Sequence, residues 1–197
     1  QPERFVWAVP FPDGTERTLR FSKFENRSEQ LEIAVTDAGG FRTVDVAPRL
    51  VTYALEGGDA RGSLILMKDH VIASFSMAGE RWEINHRGNG SHALFPTAAS
   101  TDDRIITCGV EDAAQLQDLD GAGSQRSASA LLECVEVGLE IDEFTYSALG
   151  SDVTDAVDWA LAILASVDEI YRNELNDLVT LEARFIHVWA SPDPYAS

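Results

Sequence analysis

One stretch decides the fold of this chain: residues 152–175, which read DVTDAVDWALAILASVDEIYRNEL. Apolar side chains recur there at spacings of three and four residues, so they lie along one side of a helix. Ser151 or Asp152 can cap its first turn, and Asp155 is favourable near the positive end of the helix dipole. The pattern predicts an amphipathic helix over 152–175, with the acidic residues on its other face.

Strands flank this predicted helix on both sides. Residues 132–139 alternate, with Val135, Val137 and Leu139 on one face, and a second apolar run covers Val179–Trp189. Strand, helix and strand together predict a β-α-β unit. A parallel pair alone leaves two open edges and too little core. We therefore expect the unit to be the truncated start of a larger α/β domain, and we expect residues 181–189 to offer an exposed strand edge for a dimer.

The first hundred residues are predicted to be β structure. Short runs rich in Val, Ile, Leu and aromatic residues alternate with turns that contain Gly, Pro and Asp. No helical periodicity of any length occurs there, so the predicted architecture is a β-sandwich or a curved antiparallel sheet and the predicted class is α+β. The predicted strands are 5–9, 18–24, 31–36, 49–55, 63–67, 71–77, 80–84 and 92–95.

Charge divides the chain. Its net charge is −18, of which residues 1–110 carry −3 and residues 111–182 carry −15. We predict a β-rich domain over 1–110, a flexible linker over 111–130 and the β-α-β unit over 131–197. Arg126 is the expected cleavage site in the linker for a trypsin-like protease. The acidic balance disfavours nucleic acid and anionic membranes as partners, and no apolar run is long enough to span a bilayer.

The C-terminal pattern resembles a known family. Residues 132–197 are similar to the opening of the catalytic domain of bacterial zinc proteases of the reprolysin (adamalysin) type, which are metzincins. The matching pieces are 134–144 as the first strand, 152–175 as the first helix and Val179–Trp189 as the second strand. Upstream, residues 62–84 resemble the pro-region of these enzymes. The resemblance implies a secreted bacterial metalloprotease zymogen that acts on peptides or proteins.

A short motif adds to this resemblance. Ile106-Thr107-Cys108-Gly109-Val110 is similar to the cysteine switch of metzincin propeptides, in which a thiolate occupies the open position on the catalytic zinc. The resemblance implies that Cys108 is a zinc ligand in the full-length zymogen, where the pro-region blocks its own catalytic domain. Two alternatives are a disulfide between Cys108 and Cys134 and a buried free thiol.

The chain departs from the family at the zinc site. A metzincin binds zinc through His-Glu-x-x-His-x-x-Gly-x-x-His, and no pair of histidines here has the i, i+4 spacing. We therefore assign no catalytic residue, expect no zinc in this chain and expect no protease activity from it. His86 and His92 are interpreted as surface residues and His187 as structural; the four histidines are His70, His86, His92 and His187.

The acidic residues Asp155, Asp158 and Glu169 on the predicted helix are interpreted as a solvated face, because helix spacing alone does not build a calcium site.

The function predicted from the sequence is that of an inhibitory and folding-assisting propeptide region of a secreted zinc metalloendopeptidase precursor. The zinc belongs to the full-length protein, and the partner of the propeptide is its own catalytic domain. The alternative is a secreted or cell-surface β-sandwich binding module without enzymatic activity.

Overall fold

The computed structural model describes residues 1–57, 60–99, 133–175 and 177–194. Within these ranges the chain forms two β-sheets, and a long helix packs between them.

The larger sheet is antiparallel and is built from the N-terminal residues. Counting the described residues only, it has seven strands: β1 (Arg4–Pro10), β2 (Glu16–Phe24), β5 (Val51–Glu56), β6 (Arg61–Leu66), β7 (Val71–Met77), β8 (Glu80–Gly88) and β9 (Ser91–Pro96). They follow one another in the order β1-β2-β5-β6-β7-β8-β9. This curled sheet confirms the predicted β-rich architecture and the α+β class.

One face of the large sheet has its own apolar core, in which Phe11, Tyr53, Phe75 and Trp82 are buried. The backbone is closely packed at Gly62, whose φ is +154° and where an added Cβ would lie 2.3 Å from Phe75 Cβ. Only glycine allows β6 and β7 to come this close.

The smaller sheet mixes strands from both ends of the chain. In the described residues it has four strands: β3 (Arg27–Asp37), β4 (Gly40–Thr43), β10 (Glu133–Ile141) and β11 (Val179–Trp189), in the order β10-β11-β3-β4. The β10–β11 and β11–β3 pairs are parallel, and β3 and β4 form an antiparallel hairpin.

The main helix agrees with its sequence pattern. It is α2 (Val153–Glu174), and it begins after Asp152, whose carboxylate accepts a hydrogen bond from the Asp155 backbone N at 2.9 Å. This confirms the predicted helix and selects Asp152 as its cap. Two shorter helices are also described: α1 (Glu143–Ala148) and a 3₁₀ turn (Thr97–Ala99).

Three local predictions were wrong. From residue 133 on, the alternating stretch 132–139 lies in β10, but the longer strand over 134–144 that the family resemblance implied ends at Ile141, because Asp142 caps α1, its carboxylate accepting from Thr145 N at 2.7 Å. No strand was predicted between residues 36 and 49, but β4 (Gly40–Thr43) lies there. Residues 181–189 offer no open edge, because β11 lies between β10 and β3; among the described strands of this sheet, the edges are β10 and β4.

Candidate functional site: the junction between residues 1–99 and 133–194

The two ends of the chain meet along β3 and β11, and we call this contact region the junction. Ile33 pairs in register with Ile186 and Val35 with Val188, and all four side chains are buried. Parallel sheets need apolar cover, and these residues share one core with α2. The described residues before 100 thus extend the sheet of the predicted β-α-β unit by two strands.

A buried amide also joins the two parts. Asn26 is almost fully buried. Its side-chain Nδ2 donates to the backbone carbonyl of Leu161 at 3.0 Å, and its backbone carbonyl accepts from Ala183 N at 2.9 Å. Buried polar groups are expensive unless they are hydrogen-bonded. Asn26 therefore connects the N-terminal part of the chain to both α2 and β11.

A charged contact crosses the junction above α2. Asp158 is buried and accepts from Arg49 Nε at 2.9 Å and from Arg49 N at 2.8 Å, while the Arg49 guanidinium also bonds Asp155. These bonds, first to Asp155 and then to Asp158, raise the pKa of Arg49 above its ordinary value. The predicted solvated acidic face is wrong at Asp158, because this carboxylate is enclosed and paired.

A polar pocket of about 280 Å³ lies at the other end of the helix. Burial raises the pKa of Asp168 above its usual value, against a hydrogen bond that it accepts from Leu181 N at 2.6 Å. Burial likewise raises the pKa of Glu169, a half-buried side chain, against the charges of nearby arginines. Raised carboxyl pKa values occur at acid–base sites. Here, however, Asp168 is bound to the strand that follows its helix, so its geometry is that of a structural contact.

A larger pocket of about 600 Å³ lies between α2 and the β6–β7 hairpin. Trp159, Ile163 and Ile170 line it from the helix, and Ile65 and Ile72 line it from the sheet. Ile163 and Ile170 stay 44% and 43% exposed. The helix is therefore open to solvent along this side.

The two site residues named from the sequence, Cys108 and Arg126, lie outside the described residues, as does the linker. Their roles stay predictions. Cys134 is an exposed free thiol, and its Sγ donates to Glu182 Oε2 at 3.0 Å. That bond, together with the smaller effect of burial, raises the pKa of the thiol.

The histidines fall into two places. The rings of His70 and His86 stack with their centroids 5.3 Å apart, and His92 lies 5.3 Å from His86 on the neighbouring strand. His187 is on the outer face of the small sheet, where its Nε2 is 2.9 Å from Thr36 Oγ1. Within the described ranges, no three His, Cys, Asp or Glu side chains could hold a metal ion.

Sequence reasoning missed Asn26 and Arg49. Neither has a local signal: their partners Leu161 and Asp158 are 135 and 109 residues away along the chain. An alignment showing paired changes at positions 49 and 158 would be the signal for such a contact.

Comparison of the sequence with protein-family models and with curated protein sequences identifies no relative of this chain. No protein-family model matches the chain, and no curated protein sequence matches it. Among the residues that the structure describes, no helix is long and apolar enough to cross a membrane.

Proposed function

We propose that this chain is the inhibitory and folding-assisting propeptide region, with the first part of the catalytic domain, of a secreted zinc metalloendopeptidase precursor. The observation that carries the proposal is the junction: β3 extends the parallel sheet of the β-α-β unit, and Asn26 and Arg49 bond to its helix. A segment that assists folding must cover apolar surface and satisfy buried polar groups of the domain that it serves.

The zinc of such an enzyme has no ligand set among the described residues, which do not fit a metal site. We therefore assign these residues no catalytic step. Their part in the proposal is to bind the β-α-β unit and to hold it in its folded arrangement.

The test uses the full reading frame to which this chain belongs, expressed with zinc and assayed on a quenched peptide substrate. We expect a latent precursor that becomes active once trypsin cuts at Arg126, and an Arg126→Gln precursor that trypsin does not activate. A protein that hydrolyses no peptide before or after cleavage would overturn the proposal. A Cys108→Ala precursor that stays latent until it is cut would contradict the cysteine switch alone.

The folding role has its own test, because the mature enzyme no longer contains residues 1–99. Arg49→Met should lower the yield of active mature enzyme several-fold and leave its kcat/KM unchanged. Arg42→Met is the matched control, since Arg42 bonds Asp37 within its own hairpin. Equal yields from the two variants would exclude a folding role for the Arg49 contact.

One observation favours the alternative, a binding module without enzymatic activity. Phe41 is 62% exposed on the small sheet, and its ring meets His187, which in turn contacts Trp189. Exposed aromatic clusters are common on binding surfaces. This alternative would be supported by a full-length protein that has no peptidase activity and binds a ligand or partner, if the Phe41→Ala variant no longer binds it.

A further inference from the structure

We propose that the polar pocket of about 280 Å³ binds a small primary amine in its ammonium form, held by the carboxylates of Asp168 and Glu169 and the hydroxyl of Ser63. The pocket lies between the C-terminal half of α2 and the strands β2, β5 and β6. Because small-molecule sites usually measure roughly 300–1,000 Å³, a pocket of this size suits a small ligand.

Small and polar side chains form the floor of the pocket. Ser22, Ala54 and Ser63 lie in one row across the sheet, because Ser22 pairs in register with Ala54 and Ala54 with Ser63. Their chain neighbours Phe21 and Leu64 belong to the apolar core on the opposite face, so alternation turns this row toward α2. Ser63 is 2% exposed, yet its hydroxyl has no hydrogen bond with any residue that the structure describes. A buried hydroxyl without a partner is costly, which favours a ligand that bonds to it.

Asp168 brings a buried carboxylate to the wall of the pocket. It is 2% exposed, and its Oδ1 accepts from Leu181 N at 2.6 Å. The other oxygen, Oδ2, has no hydrogen bond within the described part of the chain. Burial raises the pKa of Asp168 above its usual value, against that hydrogen bond and the charge of Arg172. The surroundings therefore compensate the negative charge of this carboxylate only in part.

Glu169 adds a second carboxylate beside the first. It is half-buried, and it forms no ion pair or hydrogen bond with residues of the described ranges. Burial raises its pKa too, and the charges of Arg81, Arg172 and Arg61 oppose this rise without cancelling it. Asp168 and Glu169 are thus adjacent acceptors that no cation of the described chain contacts directly.

The arginines at the rim of the pocket have partners of their own. Arg61 Nη1 and Arg172 Nε bond the two carboxylate oxygens of Asp177, at 3.3 and 3.0 Å. Glu56 pairs with Arg4 at 3.6 Å. The four rim side chains that line the pocket are 32–50% exposed, whereas Asp168 and Ser63 are buried behind them. The inner end of the pocket therefore attracts positive charge.

An ammonium group matches this inner end. It carries three N–H donors and no acceptor, and Asp168, Glu169 and Ser63 supply acceptors for them. Hydrogen bonds between an ammonium and a carboxylate are about twice as strong as those between neutral groups. A metal ion fits less well, because within the described ranges no three His, Cys, Asp or Glu side chains could hold one. An anion would be repelled by the two inner carboxylates.

The test is an NMR titration of the isotope-labelled chain with n-butylammonium at constant ionic strength. We expect saturable shifts of the backbone amide signals of Ser63 and Leu181, since Leu181 N donates to Asp168. Tetramethylammonium carries the same charge without an N–H donor, so it should bind at least fivefold more weakly. The absence of a saturable shift, or equal binding of the two cations, would overturn the proposal.

A lysine side chain of another protein could supply the same ammonium group, and a third titration separates this source from a free amine. The probe is N-acetyl-lysine methylamide. Butylammonium that binds at least as tightly as this lysine derivative supports a small amine. A lysine derivative that binds more tightly at the same amides would contradict the small amine and assign the pocket to a partner's lysine.

Two pairs of variants locate the site. Asp168→Asn should weaken butylammonium roughly tenfold, whereas Asp155→Asn, which removes an exposed carboxylate of the same helix outside this pocket, should not. Ser63→Ala should weaken it roughly threefold, whereas Ser74→Ala, the in-register neighbour on β7 outside the lining, should not. Circular dichroism checks the folding of all variants, and Glu169→Gln, at a partly exposed position, replaces Asp168→Asn if that variant does not fold. Binding that the carboxylate variant and Ser63→Ala both leave unchanged would place the amine elsewhere and contradict the proposal.

Discussion

The two sides of α2 differ sharply. Val157, Leu161 and Leu164 face the small sheet and are almost fully buried, together with Ile186 and Val188 of β11. On the side facing the large sheet, Ile163 and Ile170 remain more than two fifths exposed at the pocket. One helix thus has a closed face and an open face, and both are apolar.

This difference shows what holds the two parts of the chain together. The closed face packs continuously, as domain cores do. On the open face, the contact between α2 and the large sheet depends on a few polar contacts. The most buried of these is the ion pair of Arg49 with Asp158, which we call the anchor. Stability should therefore be lost mainly through substitutions on the closed face and at the Arg49–Asp158 contact.

The largest effect is expected on the closed face. Leu161→Ala removes a side chain that is fully buried and should lower the free energy of unfolding by about 3 kcal/mol. Ile163→Ala, two residues further along the helix on the open face, should lower it by less than about 1 kcal/mol. Urea unfolding followed by circular dichroism measures both. Equal losses would mean that the two faces are packed alike.

The anchor at the junction should come next. Asp158→Ala leaves the backbone N–H groups of Arg49 and Leu50 without their acceptor, and a buried unsatisfied donor costs about 1–3 kcal/mol. Asp155→Ala removes the exposed partner of the same arginine and should cost less than about 1 kcal/mol. The same urea titrations compare the two. A larger loss for Asp155→Ala would show that the exposed bond, and not the buried one, is the anchor.

Local patterns predicted much of this architecture. The periodicity of residues 152–175 predicts α2, and the apolar run Val179–Trp189 predicts β11 with the observed bounds. Alternation also predicts a strand around Ile33, but alternation says which residues face inward and not which strand lies beside them. That β3 pairs with β11 rather than with β2 is decided by tertiary packing.

The candidate site was harder to predict for the same reason. An aspartate on a helix is usually solvated, and Asp158 is buried only because Arg49 reaches it from a distant part of the chain. The strand β4 was missed because its four residues are exposed and begin at the second of two glycines, a typical turn signal.

Asp168 in α2 and Asp152, the cap of α2, should change the stability of the protein with pH in opposite directions. The pKa of Asp168 is raised by burial, so its contribution to stability is fully present below the ordinary value of 3.8 and is lost as pH rises through the raised value. The pKa of Asp152 is lowered by its bond from Asp155 N, so its contribution is present above 3.8 and is lost as pH falls through the lowered value.

Asp168→Asn should therefore gain stability over the wild type as pH rises from 4 to 7, because asparagine can still accept from Leu181 N without carrying a charge. Asp152→Asn should show the reverse trend or none over this interval. Urea midpoints at several pH values measure both differences. A wild-type advantage over Asp168→Asn that grows with pH would contradict the expected effect of burial at this position.

The smallest effect is expected on the outer face of the small sheet, at Cys134. Its thiol donates to Glu182, and this bond raises the thiol pKa and suppresses the reactive thiolate. In a Cys108→Ser background, Glu182→Gln should speed alkylation of Cys134 roughly threefold at pH 8, since a neutral amide opposes ionisation less than a carboxylate does. Glu136→Gln is the control, because Glu136 acts on the thiol only through its charge and more weakly. Equal acceleration by both variants would mean that general negative charge protects the thiol, whereas acceleration by Glu182→Gln alone would assign the protection to the single hydrogen bond across the β10–β11 pair.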